Sequence, residues 1–201
     1  DAIDETLGFV EDRDLEIDML DIGGGYPVHY SSDVKPIEQY GREISEKIDS
    51  WRGKIGDFEL FIEPGRFLTA PLVKLVTSVV NVKEMYGRKV LIVDGSEDML
   101  SLEEHDIEEN LMFITSSEDK DKVTIAGNLC HSEDWLVREP HELPTADLGD
   151  LIVFEQVGAY VNNRNTAYNL TDIPRVLVLK EGEVEEEKHP FEIVKDVLGF
   201  D

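Results

Sequence analysis

The chain is 201 residues long with a hydrophobic fraction of 41%, enough for one large domain or two small ones with a real core. Its 45 Asp and Glu against 19 Lys and Arg leave a net charge of −26, which repels nucleic acid and anionic membranes. No window holds the roughly 18 consecutive apolar residues of a membrane span, the opening residues do not read as a signal peptide, so none is expected, and the one cysteine, Cys130, excludes an intrachain disulfide and fits a reducing cytoplasm.

The acids are spread along the chain, with dense runs at 116–121 and 181–187. They read as solvated acidic faces, or as adaptation to high salt, where screening removes self-repulsion. The five histidines lack zinc-ligand spacing, so no structural metal is expected.

In chain order, residues 1–10 read as the tail of a helix. With Asp1 in first place rather than Met, the expectation is a piece of a longer protein. Residues 17–22 form a short buried strand that ends in Gly23-Gly24-Gly25. Ile37, Tyr40, Ile44, Ile48 and Trp51 then recur at spacings of three and four, which predicts a helix over 36–51 with Pro36 in its first turn. Residues 59–62 predict another buried strand, ending in Glu63-Pro64-Gly65-Arg66. Strand, glycine turn, helix, strand is a βα-type unit with parallel strands.

Beyond Pro71 the pattern becomes β-rich. Strands are predicted at 72–82, 89–93, 112–115, 123–126, 150–157 and 175–179, with a short one at 184–187, as in an all-β sandwich or barrel. A helix over 190–198 closes the chain. The composition shift near residue 70 divides it into domains 1–70 and 71–201. A complete (β/α)₈ barrel needs about 250 residues. Two barrel-type strands fit before residue 70, so most of any such barrel is expected upstream.

Four motifs could carry chemistry. Gly23-Gly24-Gly25 lets backbone N–H groups approach an anion, or is a plain strand-to-loop turn. Glu63-Pro64-Gly65-Arg66 puts an acid and a guanidinium at a strand's C-terminal end, where α/β folds keep their sites. The carboxylate could pair with a protonated ring nitrogen and the arginine could hold a phosphate, or the two could simply pair with each other. The segment from Gly127 to Asp134 contains Cys130, whose thiol is a proton donor or nucleophile if tuned, or an inert buried residue. In an extended segment Cys130 and His131 would point to opposite faces, which disfavours a catalytic pair. Gly158-Ala159-Tyr160 and Tyr168-Asn169 place tyrosines where they could bond a ligand or pack half-buried.

These motifs, in this order, together with Leu20-Asp21-Ile22 before the glycines, Tyr26-Pro27 after them, and Gly149-Asp150, resemble the fold-type III pyridoxal-phosphate-dependent decarboxylases of diaminopimelate, ornithine and arginine. The resemblance covers about residues 15–180. It implies the C-terminal part of a pyridoxal-phosphate-binding (β/α)₈ barrel followed by a β-sandwich or barrel-like domain. It also implies a homodimer with shared active sites.

Carried onto this chain, Gly23, Gly24, Gly25 and Arg66 would hold the phosphate of pyridoxal 5′-phosphate, with Gly65 beside them. Glu63 would keep the pyridine nitrogen protonated. Tyr160 would bond the phosphate or approach the substrate. Cys130 would enter a partner's site as the proton donor. No lysine here follows the strand pattern of the covalent anchor, which is expected upstream. His131 stands where an Asp or Glu commonly reads the substrate's distal amine, and Tyr168-Asn169 is not followed by the Arg-Pro-Arg stretch common in diaminopimelate decarboxylases. The region 94–102 lacks the arginine expected for gripping a distal carboxylate. His131 and Arg164 are therefore expected in an altered specificity pocket. Diaminopimelate is the first substrate expected, with ornithine, arginine or a siderophore-pathway amino acid as alternatives. A non-catalytic homologue that only dimerises is the reading from another class.

Overall fold

The computed structural model describes residues 2–30, 34–100, 108–161, 171 and 173–188. The chain forms two compact units, Asp1–Val73 and Lys74–Asp201.

In the first unit α1 (Ala2–Asp12), β1 (Met19–Asp21), α2 (Ile37–Ile55), β2 (Glu59–Phe61) and the single turn α3 (Arg66–Thr69) follow in order. Strands β1 and β2 pair in parallel, Leu20 opposite Leu60, as a strand–helix–strand unit requires. The apolar stripe of α2 buries Ile48 and Trp51, which join Leu7, Leu20 and Phe58 in one cluster. Full burial of each such side chain contributes about 1.5–3 kcal/mol. The helix runs past the expected stop at residue 51. Its end is set by Gly56, which takes φ 94° and bonds its N–H back to the Arg52 carbonyl at 3.1 Å, a conformation open to glycine.

Asp4 ties α1 to α2. It accepts from Lys47 Nζ at 2.6 Å and from Trp51 Nε1 at 3.0 Å. The Lys47 hydrogen bond, then the Trp51 one, holds the Asp4 carboxyl below its usual range.

The second unit is built on a six-stranded mixed sheet of order β5-β8-β3-β4-β6-β7. Its strands are β3 (Leu75–Met85), β4 (Arg88–Val93), β5 (Leu111–Ile114), β6 (Lys120–Ala126), β7 (Trp135–Pro144) and β8 (Leu151–Phe154). The long strand β3 serves two neighbours: Leu75–Ser78 pairs with β8, and the stretch beyond a bulge at Val79/Asn81 pairs with β4. Gly149-Asp150 locks that bulge: Val79 N–H donates to Asp150 O and Gly149 N–H to Val79 O, both at 2.9 Å. That motif is therefore a turn into β8. The Asp150 carboxyl is held low first by the Thr115 hydroxyl and then by the Asp147 N–H. Leu91, Val93, Val123, Ile125, Val137, Ile152 and Phe154 are fully buried in this unit.

A separate hairpin joins β9 (Val176–Lys180) to β10 (Glu183–Lys188). Its two-residue turn has Glu181 at φ 53° and Gly182 at φ 87°, as a type I′ turn demands.

The β-rich expectation for this unit matches, with element ends shifted by a few residues. One ten-residue strand, β7, was not expected. It carries Pro140, Pro144 and a run of charges, which argue against a central strand. It survives because it is an edge strand, and because its register against β6 shifts between Val137 and His141, around Pro140. The expected helix over 190–198 lies outside the described residues. Among the described residues, no helix is long and apolar enough to cross a membrane.

Candidate functional site

Parallel pairing puts the C-terminal ends of β1 and β2 side by side, and the chain keeps the ladder going beyond both strands. Ile22 N–H donates to Phe61 O at 3.1 Å, and Glu63 N–H to Gly23 O at 2.9 Å. The glycine run and Glu63 are thus neighbours through backbone alone. Gly24 lies so close that a Cβ there would come within 2.6 Å of the Glu63 carbonyl oxygen. Glycine is required at this position by backbone approach.

Gly23 and Gly25 have φ 71° and 83°, and a Cβ at either would meet nothing within 4 Å. Open space thus lies over the loop. The Gly23 N–H is already used, donating to Asp21 Oδ1 at 2.8 Å, so of the three glycines Gly24 and Gly25 are the candidates to donate to an anion. A pocket of about 210 Å³ opens on Gly24 and Gly25, walled by Ile22, Tyr26, Tyr40 and Ile44. Burial, and then the charge of Asp21, pushes the Tyr26 phenol above its ordinary value, so it stays protonated as a donor.

Arg66 opens α3 just beyond Glu63 and is half-buried. Its Nη1 donates to the hydroxyl of buried Tyr30 at 3.3 Å, which fixes one side of the guanidinium. Glu63 is exposed. Gly65 has φ −81° with open space around it, so nothing there demands glycine. Its carbonyl accepts from Leu68 and Thr69 N–H and from the Thr69 hydroxyl, a role in starting the turn.

The second unit holds the other predicted residues. Strands β4 and β6 are parallel, so their exits, 94–97 and 127–134, lie together. Asn128 N–H donates to Gly95 O and its side-chain amide to Asp94 O, each at 3.2 Å. Cys130 is exposed at the tip of the 127–134 loop, so it is not the inert buried thiol of the alternative reading. The loop is a series of bends and a turn, not extended. His131 Nδ1 accepts the Glu133 N–H at 3.1 Å, a bond within the loop. Glu133 in turn accepts from Arg138 Nη2 at 2.6 Å, which holds its carboxyl low.

Tyr160 is 58% exposed with φ 67°, between buried Ala159 and Val161. A tyrosine in the left-handed region costs about 1–3 kcal/mol and is kept where its neighbours are fixed. Arg164, Tyr168 and Asn169 lie outside the described residues.

The structure thus brings Gly23, Gly24 and Glu63 into contact, with Arg66 in the following turn. Cys130, His131 and Tyr160 belong to the second unit. Sequence reasoning assigned no part to Tyr30, and marked Gly127 and Asp134 only as the ends of the Cys130 motif. Asp134 left one signal, a carboxylate directly preceding the apolar start of a strand, Trp135-Leu136-Val137. Tyr30 left none.

Comparison with known proteins decides the family. The family model for the C-terminal sheet domain of pyridoxal-dependent decarboxylases matches residues 31–158. The chain belongs to this family. Among curated relatives, the diaminopimelate decarboxylase of Staphylococcus aureus is 27% identical over 188 residues, covering 90% of this chain and 45% of that protein. Diaminopimelate decarboxylase from Methanocaldococcus jannaschii, solved with L-lysine, superposes with a TM-score of 0.75 at 23% identity, over 96% of this chain and 45% of that one. It supports the fold. The lysine/ornithine decarboxylase of Vibrio vulnificus, solved with cadaverine, matches at TM-score 0.67 and 30% identity, over 84% of this chain and 45% of that one. The chain spans about half the length of the curated relatives it matches. The fold is that of the C-terminal part of a fold-type III decarboxylase.

Proposed function

We propose that this chain is the C-terminal part of a cytoplasmic, homodimeric decarboxylase that uses pyridoxal 5′-phosphate and acts on a diamino or basic amino acid, with diaminopimelate the first candidate. The observation that carries the reading is the 2.9 Å bond from Glu63 N–H to Gly23 O, with the Gly24 contact beside it. It sets the backbone of Glu63 against the glycine turn, which supports an anion site at the turn with Glu63 beside it. The open space over Gly23 and Gly25 fits a phosphate, because any side chain there would fill it.

Bound there, the cofactor supplies an electron sink for the pair left as the carboxylate departs. The chain's own residues do the rest. The Gly24 and Gly25 N–H groups and the Arg66 guanidinium bind the phosphate, with Tyr30 orienting that guanidinium. Glu63 holds a proton on the pyridine nitrogen. Tyr160, exposed between buried Ala159 and Val161, bonds the phosphate or the substrate. Cys130 delivers the proton that replaces CO₂, entering the site of a second subunit. His131 and Arg164 shape the specificity pocket. We expect the covalent lysine anchor upstream, and these 201 residues alone to release no CO₂.

The 30% identity to the lysine/ornithine enzyme favours a second reading, a decarboxylase of lysine or ornithine. The test is to purify the full-length protein that carries this chain with pyridoxal phosphate. Visible absorbance of the bound cofactor and CO₂ release are then measured with meso-diaminopimelate, lysine, ornithine and arginine. Cofactor binding with CO₂ from one of them is expected. No binding and no CO₂ from any would overturn the assignment. In the active protein, His131→Ala is expected to change the ratio of kcat/KM between substrates, and an unchanged ratio removes His131 from the pocket.

A further inference from the structure

Among the described residues, Asp134 is the one carboxylate counted with the core, at 4% exposure. A buried carboxylate costs several kcal/mol unless it is paired or hydrogen-bonded. Here both oxygens are used. Oδ2 accepts the Leu129 N–H at 2.6 Å and Oδ1 the Glu97 N–H at 2.8 Å, lengths typical of charge-assisted bonds. Its main-chain carbonyl accepts the Gly127 N–H at 3.0 Å. A Cβ at Gly127 would lie 2.3 Å from both carboxylate oxygens, so the base of the loop is shaped around this side chain. One bond ends on the residue before Cys130. The other ends on the segment leaving β4, the strand parallel to β6.

We propose that Asp134 is the positioning residue for Cys130: its buried carboxylate clamps Leu129 to Glu97 and so fixes where the exposed thiol stands. This rests on the reading of Cys130 as proton donor. The side chain acts from behind the loop and touches no reacting atom.

A double-mutant cycle in the full-length holoenzyme tests it. Cys130→Ala, Asp134→Asn and the double variant are compared by kcat at saturating substrate. Asp134→Asn keeps the volume and one acceptor oxygen but turns an amide N–H₂ on one of the two donors. It is expected to lower kcat about ten- to a hundredfold, since small misplacements cost that much, and to add less than about twofold in the Cys130→Ala background. A general structural loss would lower both backgrounds equally, and that result, or no effect in either, overturns the proposal. If Cys130→Ala itself leaves kcat unchanged, the proton-donor reading fails, a result distinct from an additive cycle.

Glu97→Pro guards against misfolding of the Asp134 variant. Glu97 is the first residue of a 3₁₀ turn, and Ser96 before it is extended at φ −147°, ψ 165°. Proline therefore fits both positions while deleting the N–H that Asp134 Oδ1 accepts. The same non-additive loss, smaller in size, is expected, and additive behaviour again overturns the clamp.

Discussion

The two loops to which we assign the chemistry are held in different ways. The glycine loop of the first unit is fixed by backbone. A parallel ladder continues past β1 and β2, and the missing side chain of Gly24 lets the Glu63 carbonyl approach. The Cys130 loop of the second unit adds to its backbone bonds a side-chain anchor, the buried carboxylate of Asp134. The first suits a ligand gripped by N–H groups, where any Cβ is an obstruction. The second suits a thiol presented at an exposed tip, where the anchor must lie behind it. The two devices should therefore fail differently. Backbone crowding should lose the cofactor, and loss of the clamp should lose turnover with the cofactor still bound.

The largest effect on cofactor affinity is expected at Gly24. Gly24→Ala puts a Cβ 2.6 Å from a backbone oxygen that has no rotamer to escape into, a strain of about 1–3 kcal/mol. Titration of the full-length protein with pyridoxal phosphate should show affinity lower by about tenfold or more. Wild-type affinity would mean that the glycine loop does not touch the phosphate.

Arg66 comes next. Arg66→Lys keeps the charge but loses the planar fork and the contact with Tyr30, and should weaken cofactor affinity by about tenfold. Tyr30→Phe removes only the hydroxyl, and a loss of about threefold is expected, in line with one neutral hydrogen bond. An equal loss in both would mean that Tyr30 acts on the cofactor directly and not through Arg66.

What was legible in the sequence follows from the same contrast. The glycine run and Glu63 each abut a short apolar strand, so local pattern placed them at strand ends, where the structure has them. The tertiary consequence was hidden. Nothing in three glycines says that the middle one is crowded by the Glu63 carbonyl while its neighbours stand in open space. Strand β7 was obscured because Pro140 and its charges argue against a central strand, whereas an edge strand with a register shift accommodates them. The part of Asp134 depends on the parallel pairing of β4 and β6, which joins segments over thirty residues apart and leaves no periodic trace.

The smallest expected effects lie away from both loops. Asp4, held low chiefly by Lys47, has a folded pKa below its unfolded one. Its contribution to stability is therefore present above the unfolded value and lost as pH falls through the folded one. Thermal melts of Asp4→Asn against wild type should converge as the pH drops below about 4 and separate above it. A constant gap would mean that the Asp4 charge is irrelevant to the α1–α2 contact. With a net charge of −26, added salt should raise the melting temperature by screening self-repulsion. No change up to about 1 M would show that the acidic surface costs the fold nothing.

We propose that Glu63 and the glycine loop form one cofactor site, and Glu63→Gln in the full-length holoenzyme probes that site, with bound pyridoxal phosphate and CO₂ release measured together. The cofactor should stay bound, because its phosphate contacts are untouched, while kcat falls by about a hundredfold or more, as when a preorganised charge partner is removed. Unchanged kcat with the cofactor bound would contradict it.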